Sequence, residues 1–434
     1  MKTKDEILEL VEEEDVEFIR LQFTDMFGNL KNVAVTAGQL ERVLNNKFVI
    51  ESSAMFAGCY DTKEDMYLYP DLDTFVILPW RPQAGKVARL LCDVYDSDGS
   101  IFKMSPRTIL KRVLDEAKAE GYTFYVDPEC EFFLFHTDEN GIPTTVTHEI
   151  AGYMDVGPID MGENPRRDIV LSLEEMGFEM ESSHHEKAPG QSEIDFREGE
   201  ALQIADSVVT FKSAVRSIAK RFGLHATFMP KPKAGVAGSG MHLNISVYKD
   251  GRNILNPRTE KNELRDEASF FMGGILAHVR SICAVTNPLV NSYKRLMSGF
   301  EAPKYIGWSY KNDDALIRVR KRIGEDTKIE LRFPDPSANP YLAIAMCIAA
   351  GMDGLEKQIS AGETLQTRIE KGEALLSLPE TLREATQCMK QDAWVEELLG
   401  REFVQIYANA KLQEWNEYMD KISDWEIEKY LNRV

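Results

Sequence analysis

The sequence predicts an α+β fold in two domains, from its length, its two hydrophobic periods and one boundary signal. The 434 residues allow two or three domains of roughly 100 to 200 residues each. Patterns typical of helices and of strands occur in both parts of the chain. Ser105-Pro106 begins a helical pattern over Arg107 to Glu120 that Gly121 ends. We therefore expect a small domain over 1–103 and a larger one over 104–434.

The small domain is expected to contain a short helix followed by extended runs. The helix is predicted near Lys4 to Glu13, and two of the strands at Val16 to Phe23 and Lys86 to Tyr95. The strands end in the turn Asp96-Ser97-Asp98-Gly99.

The larger domain is expected to mix long helices and strands, and its last seventy or so residues are helical and acidic. Further helices are predicted at Asn164 to Glu179, Ile204 to Phe222, Leu264 to Val285 and Pro340 to Ile359. The most informative strands are Tyr122 to Phe135, His225 to Met229, Gly240 to Tyr248 and Lys328 to Phe333. Trp394, Trp415 and Trp425 near the end are expected to serve packing.

Composition excludes several classes of protein. There are 51 Lys and Arg against 71 Asp and Glu, so the net charge of −20 argues against nucleic acid or anionic lipid as a partner. Six scattered cysteines without C-x-x-C spacing favour reduced thiols. The sequence begins with no signal-like apolar segment and has no run of about 18 uncharged apolar residues. We expect a soluble cytoplasmic protein.

Polar residues at every second position of apolar strands are the main clue to chemistry, since alternate strand residues share one face. Glu129 and Glu131 share a face in one strand. In the next, His242, Asn244 and Ser246 form a polar face opposite Leu243, Ile245 and Val247. In a third, Glu330 and Arg332 are presented together. A single such strand is more often a solvated edge, but three together favour a lined cavity.

The segment from Ser183 to Glu193 is interpreted as a loop that brings two further carboxylates, Glu186 and Glu193. We expect His184 and His185 in this loop to be structural. Five glutamates and one histidine are an oxygen-rich ligand set, which suits Mg²⁺ or Mn²⁺ better than a Cys/His zinc site. Such ions commonly bridge phosphates, which indicates nucleotide-dependent phosphoryl transfer.

No Walker A or G-x-G-x-x-G motif is present. The glycine run at residues 235–240 is a weak candidate for an anion-binding backbone loop.

Together, the motifs of this sequence resemble those of type I glutamine synthetase, in its shorter bacterial and archaeal form. The resemblance spans nearly the whole chain. It is carried by DMYLYPDLDTFVILPW (65–80), PECEFFLF, SSHHEKAPGQSEIDF, HATFMPKP, GSGMH, AVTNPLVNSYKRL (284–296), GFEAP (299–303) and ELRFPDPSANPYLA.

The resemblance implies a β-grasp-like N-terminal domain and a catalytic domain with a curved antiparallel sheet of the glutamine synthetase/guanido kinase-like kind, flanked by helices. It implies a dodecamer of two hexameric rings with active sites between neighbouring subunits. The implied reaction joins glutamate and ammonia with ATP through γ-glutamyl phosphate.

The resemblance also implies a role for each site residue. One Mg²⁺ or Mn²⁺ would be held by Glu131, Glu186 and Glu193, and a second by Glu129, His242 and Glu330. Glutamate would be bound by Gly238, Arg295 and Arg332. Arg318 would neutralise nucleotide phosphates, and Glu181 and Ser246 would contact the nucleoside. Glu301 would close over the site and help to remove a proton from ammonium.

The ammonium site departs from the family pattern, which reads roughly Phe-Asp-Gly-Ser-Ser and has Ile50-Glu51-Ser52-Ser53-Ala54 here. An ungapped alignment from Asp65 places Glu51 at the aspartate position and keeps the carboxylate. Aligning the serines instead places Ile50 there and removes it. We favour Glu51.

The segment expected to contact phosphates also departs from the family pattern. Asn-Arg-Ser of the family becomes Asn312-Asp313-Asp314, and a proline becomes Arg320 within a basic run that could compensate. An arginine becomes Lys328, which keeps the charge and loses the bidentate fork. Ala237 replaces the usual Asn of the glycine loop. No segment resembles the tyrosine loop that longer enzymes adenylylate.

Glutamate–ammonia ligase is the leading hypothesis. The altered Ile50 to Ala54 region motivates an alternative, a γ-glutamyl-amide ligase that accepts a larger amine. Asp313 motivates another, a catalytically weak homologue with a regulatory role.

Overall fold

Two β-sheets with surrounding helices make up the chain, and the predicted α+β class is confirmed. The computed structural model describes residues 2–60, 62–257, 264–297, 299–300, 302–311, 314–320 and 326–434. The first sheet lies within residues 16–96 and the second within 122–331. A division into 1–103 and 104–434 is compatible with this order and stays a prediction.

The first sheet has five strands in the order β2-β1-β5-β4-β3, where β1 and β5 are parallel and the other neighbours antiparallel. Its strands are β1 Val16–Thr24, β2 Leu30–Thr36, β3 Phe48–Glu51, β4 Asp65–Ile77 and β5 Lys86–Asp96. Helices α1 (Lys4–Glu13) and α2 (Leu40–Leu44) and two 3₁₀ turns (Ala37–Gln39, Ser52–Met55) accompany it. Thr3 and Glu6 form a capping box that begins α1 at the predicted residue.

The second sheet follows the order β13-β14-β15-β11-β6-β8-β7, and all neighbours on this path are antiparallel except β13 and β14. The short strands β9 and β10 pair with β6, and β12 pairs with β11. The strands are β6 Tyr122–His136, β7 Met180–His185, β8 Gln191–Phe196, β9 Gly199–Glu200, β10 Leu224–Thr227, β11 Met241–Lys249, β12 Arg252–Asn253, β13 Tyr305–Ser309, β14 Ala315–Arg320 and β15 Lys328–Leu331.

Helices pack around this sheet and form the C-terminal part of the chain. They are α3 Pro106–Ala119, α4 Glu163–Glu175, α5 Ala201–Arg221, α6 Asp266–Thr286, α7 Val290–Leu296, α8 Pro340–Lys357, α9 Leu365–Glu370, α10 Leu382–Gln391, α11 Ala393–Leu399, α12 Arg401–Met419 and α13 Asp424–Tyr430. The predicted helices and strands of the second domain are found, with ends that differ by at most four residues.

Three expectations need correction. The segment Ser183 to Glu193 is a hairpin of β7 and β8, because Gly190, with φ of +84°, makes a tight turn between them. Helix α4 ends at Glu175 instead of Glu179, because Gly177 takes φ of +86° beyond it. Trp425 is 56% exposed and does not pack in the core of this chain.

Helix α6 is long and apolar enough to cross a membrane by length and composition alone, but 67% of its most apolar window is buried inside the protein. It packs against α8 as a core helix. All six cysteines are free thiols, as expected.

Arg107 links the first sheet to helices that surround the second sheet through a buried ion-pair network. It lies in the first turn of α3 and pairs with Asp71 on β4 and Asp93 on β5 at 2.7 Å each. On the other side it forms a two-pronged pair with Asp206 of α5, at 2.9 Å for each bond. Tyr341 of α8 donates to the same carboxylate at 2.6 Å. The network fixes the first sheet to the helices α3, α5 and α8 of its own chain.

We predict that Arg107→Met lowers the free energy of unfolding by about 3 to 5 kcal/mol, because three buried or half-buried carboxylates lose their cation. Urea unfolding followed by circular dichroism measures this. Arg167→Met is the matched control, since Arg167 is exposed and pairs only loosely with Asp168 at 3.4 Å. It should change the unfolding free energy by less than about 0.5 kcal/mol. Equal stability losses in the two variants would contradict the prediction.

Candidate active site

Side chains from four neighbouring strands of the second sheet, β15, β11, β6 and β8, meet on one face. Strand register places His242 of β11 opposite Glu129 of β6, and Glu129 in turn opposite Asp195 of β8. One step along, Glu131 lies opposite Glu193. The pairing of β15 with β11 brings in Glu330 beside Asn244. Alternation along each strand therefore aligns the predicted carboxylates on a common surface.

Glu129, His242 and Glu330, the predicted second metal set, lie together. One ligand atom from each falls within 4.8 Å of the others. His242 Nδ1 is 3.2 Å from Glu129 Oε2 and 3.4 Å from Glu330 Oε1. Asn244, on the same strand face, donates to Glu129 Oε1 at 3.1 Å.

Arginines surround this set. Glu330 is fully buried and pairs with Arg318 Nε at 2.5 Å and Arg332 Nη1 at 2.7 Å. Arg320 pairs with Glu129 and donates to Asn244 Oδ1 at 3.0 Å. The guanidinium groups therefore neutralise this end of the carboxylate row.

The predicted first metal set, Glu131, Glu186 and Glu193, lies at the other end of the row. Glu131 is held by the glycine loop, since Gly240 N donates to its Oε2 at 2.9 Å and Gln191 Nε2 donates at 2.8 Å. Glu186 follows β7 and accepts from Lys187 N at 3.0 Å. Each of the three carboxylates is buried.

Electrostatics differ between the two ends. Burial, followed by the charge of Glu186, raises the pKa of Glu131 to about 8, and burial with Asp195 raises the pKa of Glu193 well above its usual range. Burial would also raise the pKa of Glu129, but hydrogen bonds from His242 and Arg320 hold that pKa below its usual range. Burial and the nearby Arg332 lower the pKa of His242. Arg295 and Arg332 are close enough to lower the pKa of Glu131, but they do not offset its burial, so this is the end whose carboxylates resist ionisation.

The donor set fits divalent cations. It consists of carboxylate oxygens and an imidazole with no cysteine among them, and buried carboxylates of like charge need a cation between them. Oxygen-ligated ions of the Mg²⁺ or Mn²⁺ kind match it better than a tetrahedral zinc site.

The predicted nucleoside contacts gather beside the row. Ser246 donates to Glu198 Oε2 at 3.2 Å, and Lys328 Nζ lies 3.0 Å from the same oxygen. Lys328 also reaches Asp127 at 3.3 Å. Burial raises the pKa of Asp127 to about 6 in spite of Lys328, and the charge of Glu181 on β7 contributes to the increase. These groups therefore border one end of the polar face.

The predicted glutamate-binding residues meet at the glycine loop. Arg295 is buried and donates to the carbonyls of Arg332 and Phe333 at 3.0 Å. A Cβ on Gly238 would lie 2.3 Å from the carbonyl oxygen of Pro230, and one on Gly240 would lie 2.7 Å from Arg295 Nη2. Glycine is therefore required for this close approach.

Three positions singled out in the sequence are not part of this polar face as the structure describes it. Glu51 is exposed at the end of β3, on the other sheet, where Ser53 Oγ donates to it at 2.5 Å. Glu301 and Asp313 lie outside the described residues.

Sequence reasoning missed Gln191, Asp195 and Glu198. Gln191, Glu193 and Asp195 follow the same period-two rule that identified the other strands, but the segment before Glu193 was interpreted as a loop. The alternation in Gln191–Phe196 was the available signal.

Comparisons with known proteins identify the family of the chain. The family described as "Glutamine synthetase, catalytic domain" matches residues 103–430, and "Glutamine synthetase, beta-Grasp domain" matches residues 15–97. The chain belongs to the glutamine synthetase family. The membership expected from the motifs is confirmed, as are the β-grasp domain and the curved sheet of the fold prediction.

Relatives of this family are similar over their full length. A glutamine synthetase of Clostridium saccharobutylicum is 51% identical over 438 residues, covering 99% of each chain. One from Staphylococcus aureus (strain MW2) is 48% identical over 440 residues, covering 99% of this chain and 98% of that protein. Solved structures of GmaS, an ADP complex and an apo form without ligand, superpose with a TM-score of 0.87 at 31% and 30% identity, covering 98% of this chain and 99% of theirs. Glutamine synthetases use ATP and a divalent metal.

We predict that Arg320→Met strengthens Mn²⁺ binding at the predicted Glu129, His242 and Glu330 set. Arg320 holds Glu129 by a charge-assisted hydrogen bond, and such bonds contribute about 1.5 to 3 kcal/mol, so removing this competitor should raise the affinity roughly tenfold or more. Electron paramagnetic resonance of free Mn²⁺ measures it. Arg197→Met, at an exposed arginine paired with Glu179, is the control. Unchanged or weaker binding in the Arg320 variant would show that Arg320 does not compete with the cation.

Proposed function

We propose that this chain makes glutamine from glutamate, ammonia and ATP. The observation that carries the proposal is similarity over 99% of the chain to glutamine synthetases at 48% and 51% identity, with both domains of the family in order. A ligase for a larger amine is not favoured, because the relatives that are 48% and 51% identical over nearly the whole chain are named glutamine synthetases.

The reaction has two transfers. The γ-carboxylate of glutamate attacks the γ-phosphorus of ATP, the bond to the bridging oxygen breaks, and ADP leaves. The nitrogen of ammonia then attacks the carbonyl carbon of γ-glutamyl phosphate, phosphate leaves, and glutamine remains after loss of a proton. Most of the protein's contribution to such a phosphoryl transfer is positioning and charge stabilisation.

The arginines of the site supply both. Arg332 and Arg295 are proposed to bind glutamate, with Gly238 allowing its close approach to the backbone. Arg295 is already fixed by backbone carbonyls, so little entropy is lost when it binds. Arg318 is proposed to turn towards nucleotide phosphates, beside Glu181, Ser246 and Lys328 at the nucleoside.

The carboxylates are proposed to hold two or more Mg²⁺ or Mn²⁺ ions, with Glu131, Glu186 and Glu193 as one set and Glu129, His242 and Glu330 as the other. When bound, such cations offset the charge of the transferred phosphoryl group. Burial of both sets among strands excludes water from the acyl phosphate. Glu301 is proposed to close the site above them.

Ammonium is proposed to bind between copies of the chain, at Glu51 of a neighbouring subunit, in a cytoplasmic dodecamer of two hexameric rings. Exposed apolar side chains support self-association. They cluster in a loop before α4 and in the C-terminal segment, and include Ile150, Val156, Ile422, Trp425 and Leu431. A small regulatory protein is a further possible partner under this proposal, and the net charge of −20 disfavours nucleic acid and membranes.

We predict that phosphate release from ATP, with Mg²⁺ and glutamate, depends on ammonium. The kcat/KM for ammonium should exceed that for ethanolamine, polyamines and alkylamines by at least about 100-fold, because a site built for ammonium rejects larger groups sterically. A coupled phosphate assay measures it, with a no-amine control. Preference for another amine would assign the larger-amine reaction, and no turnover with any amine would assign the regulatory role.

We predict that Glu51→Ala lowers kcat/KM for ammonium by about 100-fold or more, the usual contribution of a positioned general base, while KM for ATP changes little. Steady-state phosphate release measures both. Glu41→Ala, at an exposed glutamate of α2 in the same domain, is the matched control and should retain full activity. Full activity of the Glu51 variant would favour the alignment that places Ile50 at the ammonium position.

A further inference from the structure

The hairpin of β7 and β8 presents a group of ligands that the predicted metal sets do not contain. Register places His184 of β7 opposite Glu193 of β8, and Ser182 opposite Asp195. A ring nitrogen of His184 and one carboxylate oxygen each of Glu193 and Asp195 all lie within 4.8 Å of one another. Only Glu193 belongs to a predicted metal set.

Asp195 supplies a second and independent observation. Asp195 is 9% exposed, and its Oδ1 is fully buried without a hydrogen-bond partner. The other oxygen, Oδ2, accepts from Ser182 Oγ at 2.5 Å. A buried carboxylate oxygen without a donor costs free energy unless a cation meets it.

Basic side chains do not neutralise the carboxylates at this end of the row. Among the described residues, no lysine or arginine lies within 4.0 Å of Glu131, Glu193 or Asp195, whereas Glu330 and Glu129 have arginine partners. Three buried carboxylates thus share one end of the row without an ion pair to a basic residue.

A comparable cluster in the same region is satisfied and makes a useful contrast. Glu149, Asp160 and His185 also lie within 4.8 Å of one another. There, however, Glu149 accepts from His185 Nε2 at 2.7 Å and from Met161 N at 3.1 Å, and Asp160 pairs with Arg166. That cluster is held together by its own donors and needs no ion.

We propose that His184, Glu193 and Asp195 bind a third divalent cation, with Glu193 shared between it and the Glu131, Glu186 and Glu193 set. The inference rests on the proposed function, because it extends the metal site of that reaction. One imidazole with two carboxylates is a mixed nitrogen and oxygen set, which suits Mn²⁺ better than Mg²⁺. The cation neutralises the hairpin and holds Glu193 in place for the neighbouring metal.

His184 also connects the third cation to Glu186. Its Nε2 lies 3.0 Å from Glu186 Oε1, so a ligand bond at the ring fixes the imidazole beside a carboxylate of the first metal set. Coordination of His184 therefore also orients Glu186, which begins the turn of the hairpin.

Mn²⁺ titration of the full-length protein, followed by electron paramagnetic resonance, tests the proposal. The wild-type chain should bind one Mn²⁺ more than the Asp195→Asn variant. Asp127→Asn is the matched control, because Asp127 is a buried aspartate on the same sheet whose charge is met by Lys328 at 3.3 Å. It should retain the wild-type number of ions. Equal numbers in the wild type and the Asp195 variant would overturn the proposal.

A spectroscopic test avoids the question of whether the Asp195 variant folds. In His242→Gln, the predicted histidine ligand of the second metal is gone, so any ¹⁴N modulation in the spin-echo spectrum of bound Mn²⁺ must come from another histidine. We expect the modulation to persist in His242→Gln and to vanish in the double variant His184→Gln/His242→Gln. Its absence from the single variant would overturn the proposal.

Phosphate release and Mn²⁺ binding together distinguish failure of the proposed function from failure of the third cation. If the wild type binds no Mn²⁺ and releases no phosphate with any amine, the proposed function and the third cation both fall. If it is active and binds the same number of ions with and without Asp195, only the third cation falls.

Discussion

One constraint governs the structure of this protein. A row of like-charged carboxylates is buried on one face of the second sheet. Glu129, Glu193 and Glu330 come from three different strands, and the register of those strands leaves no freedom to separate them. Like charges in a protein interior repel strongly unless protons or cations intervene. The positions of arginines, glycines and hydrogen-bond donors around the row follow from that requirement.

The row is neutralised unequally along its length. At the β14 and β15 end, arginines already pair with Glu129 and Glu330, so a cation that binds there must displace or rearrange them. At the β7 and β8 end, burial keeps the pKa of Glu131 near 8, and no basic side chain among the described residues pairs with it. Under the proposed function, arginines that a cation displaces from Glu129 and Glu330 would turn to the nucleotide phosphates, which would couple metal binding to nucleotide binding.

The sequence predicted most of the fold and the centre of the site, because both depend on local patterns. Period two identified Glu129, His242 and Glu330 on strands whose observed ends lie within two residues of the predicted ones. It failed at the hairpin, where Pro189-Gly190 and a run of polar residues resemble a loop. Asp195 was missed for that reason, and Trp425 was misjudged because the sequence does not tell whether an aromatic residue packs within one chain or against another.

The buried guanidinium of Arg107 fixes the N-terminal sheet, and with it the position of the proposed ammonium-binding residue Glu51. Arg107 is bound by Asp71 and Asp93 of that sheet and by Asp206 of the catalytic domain, so the sheet cannot move independently of its own chain. Glu51, at the exposed end of the edge strand β3, is therefore fixed in an outward-facing position. A carboxylate held in this way can serve ammonium only at a surface that another molecule covers. The rigidity of the domain interface thus makes the proposed role of Glu51 a property of the assembly, while the cation chemistry stays within one chain.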